Sequence, residues 1–176
     1  MTEQIRYDVL KKIDSIEIRQ YPEEIFAVVE NHDEDASFGL LFRYITGENK
    51  TKSRIAMTAP VITSEKIEMT APVISRNNYM AFSIPSTYTK DTVPVPTNPS
   101  VKIEVQPKKT MAVLRFGGHT PEKRVQKYIQ DLLTIVRDNK ITMNGEPVLM
   151  RYNSPFTPGF LRRNEVAVEI NVIKND

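Results

Sequence analysis

Apolar and polar residues alternate along much of the chain, in short runs separated by turn signals. Residues 7–20 read as extended: Val9 and Leu10, then Ile16, Ile18 and Gln20 among charged neighbours. Tyr21-Pro22-Glu23-Glu24 reads as a turn, and Ile25–Asn31 as a buried strand. Asp33 to Asp35 supply an acidic helix start, the helix runs from about Ala36 to Thr46, and Gly47 ends it. At about 100° per residue, Phe38, Leu41, Phe42 and Ile45 form its core-facing stripe. Leu40 and Tyr44 widen that stripe to roughly 200°, more than a helix packed on one side needs. A loop, a second subunit or a ligand should cover these two side chains.

Residues 55–74, IAMTAPVITSEKIEMTAPVI, contain MTAPVI twice, from Met57 and from Met69. In strand conformation Ile55, Met57, Ala59 and Val61 share one face, as do Ile67, Met69, Ala71 and Val73. A loop at Ser64-Glu65-Lys66 would pair Val61 with Met69, Ala59 with Ala71 and Met57 with Val73. Pro60 and Pro72 suit edge or bulge positions because they donate no ladder hydrogen bond. The face is soft, since Ala is small and Met flexible. An ordinary hairpin core is the simpler account of these residues, an adaptable site the other.

Further strands are expected at Tyr79–Ile84, Val101–Val105, Met111–Phe116, Pro147–Tyr152 and Val166–Ile170. Residues 85–99, with Pro85, Pro94, Pro96 and Pro99, form a stiff connection. Thr120 and Pro121 read as the N-cap and first turn of a second helix. Val125, Tyr128, Ile129, Leu132, Leu133 and Val136 form its stripe, and it ends near Asn139. With a shift of 85 residues, 16–29 overlays 101–114, so that Ile18, Pro22, Ala27 and Val28 meet Ile103, Pro107, Ala112 and Val113. A strand–strand–helix–strand unit used twice in one domain, 1–176, follows, with halves of about 5–90 and 91–176. It predicts an α+β fold: an antiparallel curved sheet or distorted barrel with two helices. Such architectures leave a cleft where the halves meet, a preferred place for ligands.

Composition adds exclusions. The 176 residues suffice for a real core. A net charge of +2, without basic blocks, gives no case for a nucleic-acid partner. The lack of cysteine removes disulfides and thiol chemistry and suits a reducing cytoplasm. The N-terminus lacks the apolar core of a signal peptide, and no apolar run of about 18 residues predicts a membrane span.

Several segments together resemble the SOUL/heme-binding protein family. They are IEIRQYP (16–22), FGLLFRYITGENKTKSRIAMTAPV (38–61), FSIP (82–85), VPVPTNPSVKI (93–103), FGG (116–118) and YNSPFTPGFLRRNEV (152–166). The tandem MTAPV strings look like its prokaryotic branch. The resemblance implies a duplicated α+β fold related to bacterial effector-binding domains. It also implies a groove for heme or another tetrapyrrole between the first helix and the loop joining the last two strands.

Heme is a flat apolar disc with two carboxylates, so a site needs an apolar slot edged by cations. On the first helix, Phe38, Leu40, Leu41 and Tyr44 offer one wall; Phe156 and Phe160 offer the other. Arg43, Arg54, Arg162 and Arg163 are candidates for the carboxylates. Some relatives carry His where this chain has Gln20, a poor iron ligand. His32 and His119 read as turn or capping residues, and Met57, Met69 and Tyr44 as weak ligands at most. No structural metal site is expected. Non-covalent tetrapyrrole binding, as carrier or buffer, is therefore the first functional expectation. A general effector-binding module for a small hydrophobic ligand is the alternative. An enzyme is expected less: no nucleophile–base motif occurs, leaving only a carboxylate hydrolase built on Glu165 or Glu169. A pairing of Glu165 with a neighbouring arginine is the simpler expectation.

Overall fold

The computed structural model describes residues 2–51 and 64–171. The first MTAPVI copy, its pairing with the second, Met57 and Arg54 lie outside the described residues. In chain order the elements are β1 (Asp8–Ile13), β2 (Ile16–Tyr21), β3 (Glu24–Glu30), α1 (Glu34–Thr46) and β4 (Asn49–Lys50). Then come β5 (Thr70–Arg76), β6 (Tyr79–Ser83), β7 (Val95–Pro96), β8 (Lys102–Gln106) and β9 (Lys109–Gly117). Last are α2 (Glu122–Asp138), β10 (Val148–Arg151), a 3-10 turn (Gly159–Leu161) and β11 (Arg163–Ile170). They form two compact units. One contains Glu24–Gln106 with the N-terminal residues up to Gln4; the other contains Ile5–Glu23 and the chain from Pro107 onward.

In the first unit an antiparallel sheet has the order β5-β6-β3-β8. Ala27 and Val29 on β3 face the same way as their partners Phe82 and Met80 on β6, and α1 packs on that face. Asp33 caps α1 by accepting from the Ala36 N–H, and Gly47 ends it at φ 136°, a conformation only glycine adopts cheaply. The buried side of α1 is Ser37, Leu40, Leu41, Tyr44 and Ile45. This corrects the expected stripe: Phe42 is 47% exposed, and Leu40 and Tyr44 lie in the core. The cover comes from the proline-rich connection. Val93 joins the same core, and the Tyr44 hydroxyl donates to the Pro94 carbonyl at 2.7 Å. Buried Asn49 closes the end of α1, donating to the carbonyls of Tyr44 and Glu65. In the second MTAPVI copy, Pro72 falls in the register shift between Thr70 and Val73, the irregular position expected of a proline in a strand.

In the second unit the sheet order is β1-β2-β9-β11-β10, again antiparallel. The expected single run over 7–20 is two strands, turning at Asp14, which sits at φ 51°. Register aligns Ile16, Leu114, Val166 and Leu149 in one row, and Ile18, Ala112 and Val168 in the next. Val125, Leu132 and Val136 of α2 cover these rows. Phe116 stacks on Tyr128, centroids 4.1 Å apart. The α2 N-cap is Pro121, not Thr120, and no side chain caps it; the Thr120 hydroxyl instead accepts from Arg151 Nε. Among the described residues the sheet within each unit is open rather than closed into a barrel.

In the first unit Glu3 and Gln4 are stitched to β5: the Ala71 N–H donates to the Glu3 carbonyl at 2.8 Å. Burial, then the charge of Glu3, pushes the Glu24 carboxyl up to about 7. A raised carboxyl favours the fold when protonated. The resulting stability is present below the ordinary carboxylate range and lost as pH rises to about 7. Glu24→Gln should therefore remove on the order of 1–2 kcal/mol of pH-dependent destabilisation between pH 5 and 8, after allowance for solvent screening. Urea melts at both pH values check this; equal pH slopes for variant and parent would contradict it.

Candidate functional site

Three local arrangements carry chemistry. The first is the loop between β10 and β11. Arg162 braces it: Nε donates to the Thr157 carbonyl at 2.7 Å, Nη2 donates to the Pro155 carbonyl, and Nη1 lies 3.3 Å from His119 Nδ1. The Arg163 N–H donates to Asn153 Oδ1 at 2.7 Å, closing the loop base. Gly159 lets the loop approach His119, because a Cβ there would lie 2.6 Å from His119 Nε2. On this braced backbone Phe156 is 95% exposed, Phe160 86% and Leu161 62%. The phenylalanines were expected as a site wall; Leu161 was not singled out. Arg162 was expected to meet a ligand carboxylate, but its donors are directed at the loop's own carbonyls and at His119.

The second arrangement is on α1, where half-buried Phe38, packed against the core, meets exposed Phe42. Phe38 and Phe42 stack with centroids 6.0 Å apart, and Phe38 also meets Phe82 edge-on at 5.4 Å. Next to Phe42, Arg43 is exposed and pairs with Glu48 at 3.3 Å. Leu40, Leu41 and Tyr44 belong to the core behind these rings. The sequence reading placed Phe42 inside; its i, i+4 spacing from Phe38 was the available signal for a shared aromatic face.

The third is a buried polar cluster on the sheet of the second unit, on the face opposite α2. Glu165 is fully buried and accepts from Arg19 at 2.8 and 3.0 Å and from Arg163 at 2.7 and 3.1 Å. The expected arginine partner of Glu165 is thus present twice. Arg19 lies over the Tyr7 ring and Arg163 over the Tyr152 ring, each 4.1 Å from the centroid. Arg19 also reaches Glu17 and the Tyr21 hydroxyl, and Arg163 reaches the Tyr7 hydroxyl. Burial alone would raise the Glu165 carboxyl, but the bonds and charges of Arg19 and Arg163 outweigh it, and the group lies below the usual carboxylate range. Burial pushes the Tyr21 phenol up to about 12 and the Tyr152 phenol higher. Glu165 is therefore an ionised, saturated acceptor, the opposite of a carboxyl kept protonated as a general acid.

A family model for the SOUL heme-binding protein matches residues 2–169. The chain belongs to the SOUL heme-binding protein family. Heme-binding protein 2 from Homo sapiens is 32% identical over 148 residues, covering 80% of this chain and 71% of its own. Heme-binding protein 1 from Xenopus laevis is 28% identical over 136 residues, covering 76% of this chain and 70% of its own. Among solved structures, the EcmrR C-terminal domain is similar in fold, with a TM-score of 0.57 at 13% identity, over 95% of this chain and 99% of that one.

Within this family the question is what iron would meet. Gln20 is a strand residue paired with Asp8 and Thr110. His32 Nδ1 lies 2.7 Å from the Glu30 carbonyl oxygen, and His119 Nδ1 faces Arg162. Tyr44 is hydrogen-bonded inside the core, and Met69 packs against the same core. Among the described residues no three His, Asp or Glu side chains gather as a metal site. Phe42 on α1 and, separately, Phe156 and Phe160 on the braced loop expose aromatic rings, and Arg43 is an exposed cation next to Phe42.

The buried cluster yields a stability prediction. Arg19→Leu leaves Glu165 buried with half its donors and should cost about 3–5 kcal/mol. Arg163→Leu should cost less, because that side chain is partly exposed. Chemical denaturation measures both, and a cost under about 1 kcal/mol for Arg19→Leu would show that the pair is not holding the sheet.

Proposed function

We propose that the protein binds heme or another tetrapyrrole non-covalently, as a carrier or buffer. The observation that carries this reading is the exposure of Phe156 and Phe160 on a loop braced by Arg162. Large aromatic side chains held open in this way offer area to an apolar ring at little ordering cost. The names of the relatives support the same ligand class. The second candidate surface is on α1: exposed Phe42 and half-buried Phe38 present rings, backed by Leu40, Leu41 and Tyr44. Arg43 would take a propionate in place of Glu48. Arg162 acts by holding the loop. The iron would contribute redox or ligand chemistry when present, but ring burial requires none of it. The tandem MTAPV strings support the prokaryotic branch of the family, and the lack of cysteine supports a reducing cytoplasm. The offset of 85 residues between similar segments supports an origin by duplication.

Titration with hemin and with iron-free protoporphyrin, followed by absorbance and tyrosine quenching, tests this. Both should saturate with similar affinity. Phe156→Ser with Phe160→Ser, or Phe42→Ser with Arg43→Glu, should weaken both by about tenfold or more. A response to hemin alone, with a sharp Soret band, would contradict ring burial and point to an iron ligand. No saturable binding of either would favour the effector-binding alternative.

A further inference from the structure

The loop between β10 and β11 has an unusual combination of order and exposure. Leu161 N–H donates to the Pro158 carbonyl at 2.9 Å and Thr157 N–H to the Ser154 carbonyl at 3.0 Å, so the backbone is internally bonded. Arg162 fixes it further. Exposed loops without a partner ordinarily carry small polar residues. This one carries two phenylalanines and a leucine, held outward.

The surroundings are cationic. Residues 151–162 contain Arg151 and Arg162 and no carboxylate, while the next residue, Arg163, is paired with Glu165. Residues 117–131, which bring His119 against the loop, contain Lys123 and Arg124 against Glu122, with Lys127 paired to Asp131. Arg124 Nη1 donates to the His119 carbonyl at 3.1 Å, which places its guanidinium beside the loop. Among the described residues neither Arg124 nor Arg162 is paired with a carboxylate. The N-terminus of α2 opens at the same place, and its dipole adds positive potential.

Apolar side chains at the tip and cations behind them are the pattern of an interfacial membrane contact. The rings enter the boundary between headgroups and acyl chains, and the guanidinium groups remain at the level of the phosphates. Among the described residues no helix is long and apolar enough to cross a membrane, so the contact would be peripheral. We propose that the 153–162 loop docks the protein reversibly on an anionic phospholipid bilayer, with Phe156, Phe160 and Leu161 inserted and the charges of Arg124 and the brace Arg162 supplying positive potential behind them. For its purpose this rests on the tetrapyrrole reading: an amphiphilic ring partitions into bilayers, and docking would bring a carrier to that store. The docking itself needs no porphyrin.

Flotation of the full chain with vesicles of phosphatidylglycerol and phosphatidylcholine, without porphyrin, is the test. Binding should rise with phosphatidylglycerol content and fall with salt. Leu161→Glu and Arg124→Glu should each weaken it about tenfold. Arg124→Glu should leave porphyrin affinity in vesicle-free solution unchanged, because Arg124 lies outside the proposed ring-binding set. That separates failure of docking from failure of tetrapyrrole binding. Gly159→Ala, which pushes the loop off His119, should weaken vesicle binding while circular dichroism stays unchanged. The proposal is overturned if anionic vesicles do not bind the protein or if binding ignores lipid charge. It is also overturned if the apolar tip instead forms a concentration-dependent dimer lost in Leu161→Glu.

Discussion

The second unit is built around one buried carboxylate. Glu165 on β11 has no access to water, so its charge survives only because Arg19 on β2 and Arg163 surround it. Arg19 reaches it across β9, which lies between β2 and β11. The pairing therefore fixes three strands in register, while Ile16, Ile18, Leu114, Val166 and Val168 bury the opposite face under α2. A buried ion pair contributes little net stability compared with apolar packing, but a slipped register would strand an unpaired charge. That penalty specifies where β11 begins and, one residue earlier, where the braced loop ends.

Loop bracing and exposure follow from the same economy of donors. Arg162 neighbours Arg163, yet the two guanidinium groups serve different partners: one the loop carbonyls, the other Glu165. With Arg162 tying the loop to itself, Phe156 and Phe160 are ordered without being buried. The cost of leaving two aromatic rings in water is what gives them affinity for an apolar surface.

Elements with local signals were legible in the sequence. Asp33 and Gly47 bounded α1, and the α2 stripe from Val125 to Val136 was correct because one face alone is apolar. In α1, Leu41, Ile45 and the need for a cover over Leu40 and Tyr44 were legible; Phe42 was misplaced, because the cover comes from Pro94, fifty positions beyond Tyr44, and leaves Phe42 outside. The turn at Asp14 lacks glycine and proline, and only the weaker turn preference of Asp14-Ser15 marked it. The strand β11 starts at Arg163 rather than Val166 because Arg163 and Glu165 hide apolar alternation behind a mutually satisfied pair. Phe156 and Phe160 were singled out in the sequence, and both are exposed. That Arg162 is a brace was not legible, because its partners are backbone carbonyls.

The most direct test of the central claim is an NMR titration with a diamagnetic gallium protoporphyrin, observing aromatic and methyl resonances. Macrocycle ring currents shift protons within a few ångströms of the ring faces. Large shifts at Phe156 and Phe160 or at Phe38 and Phe42, with Val9 and Leu10 unmoved, are the predicted result. Shifts centred on Val9 and Leu10, exposed apolar residues of β1, or spread evenly over the surface, would contradict ring burial by the aromatic surfaces.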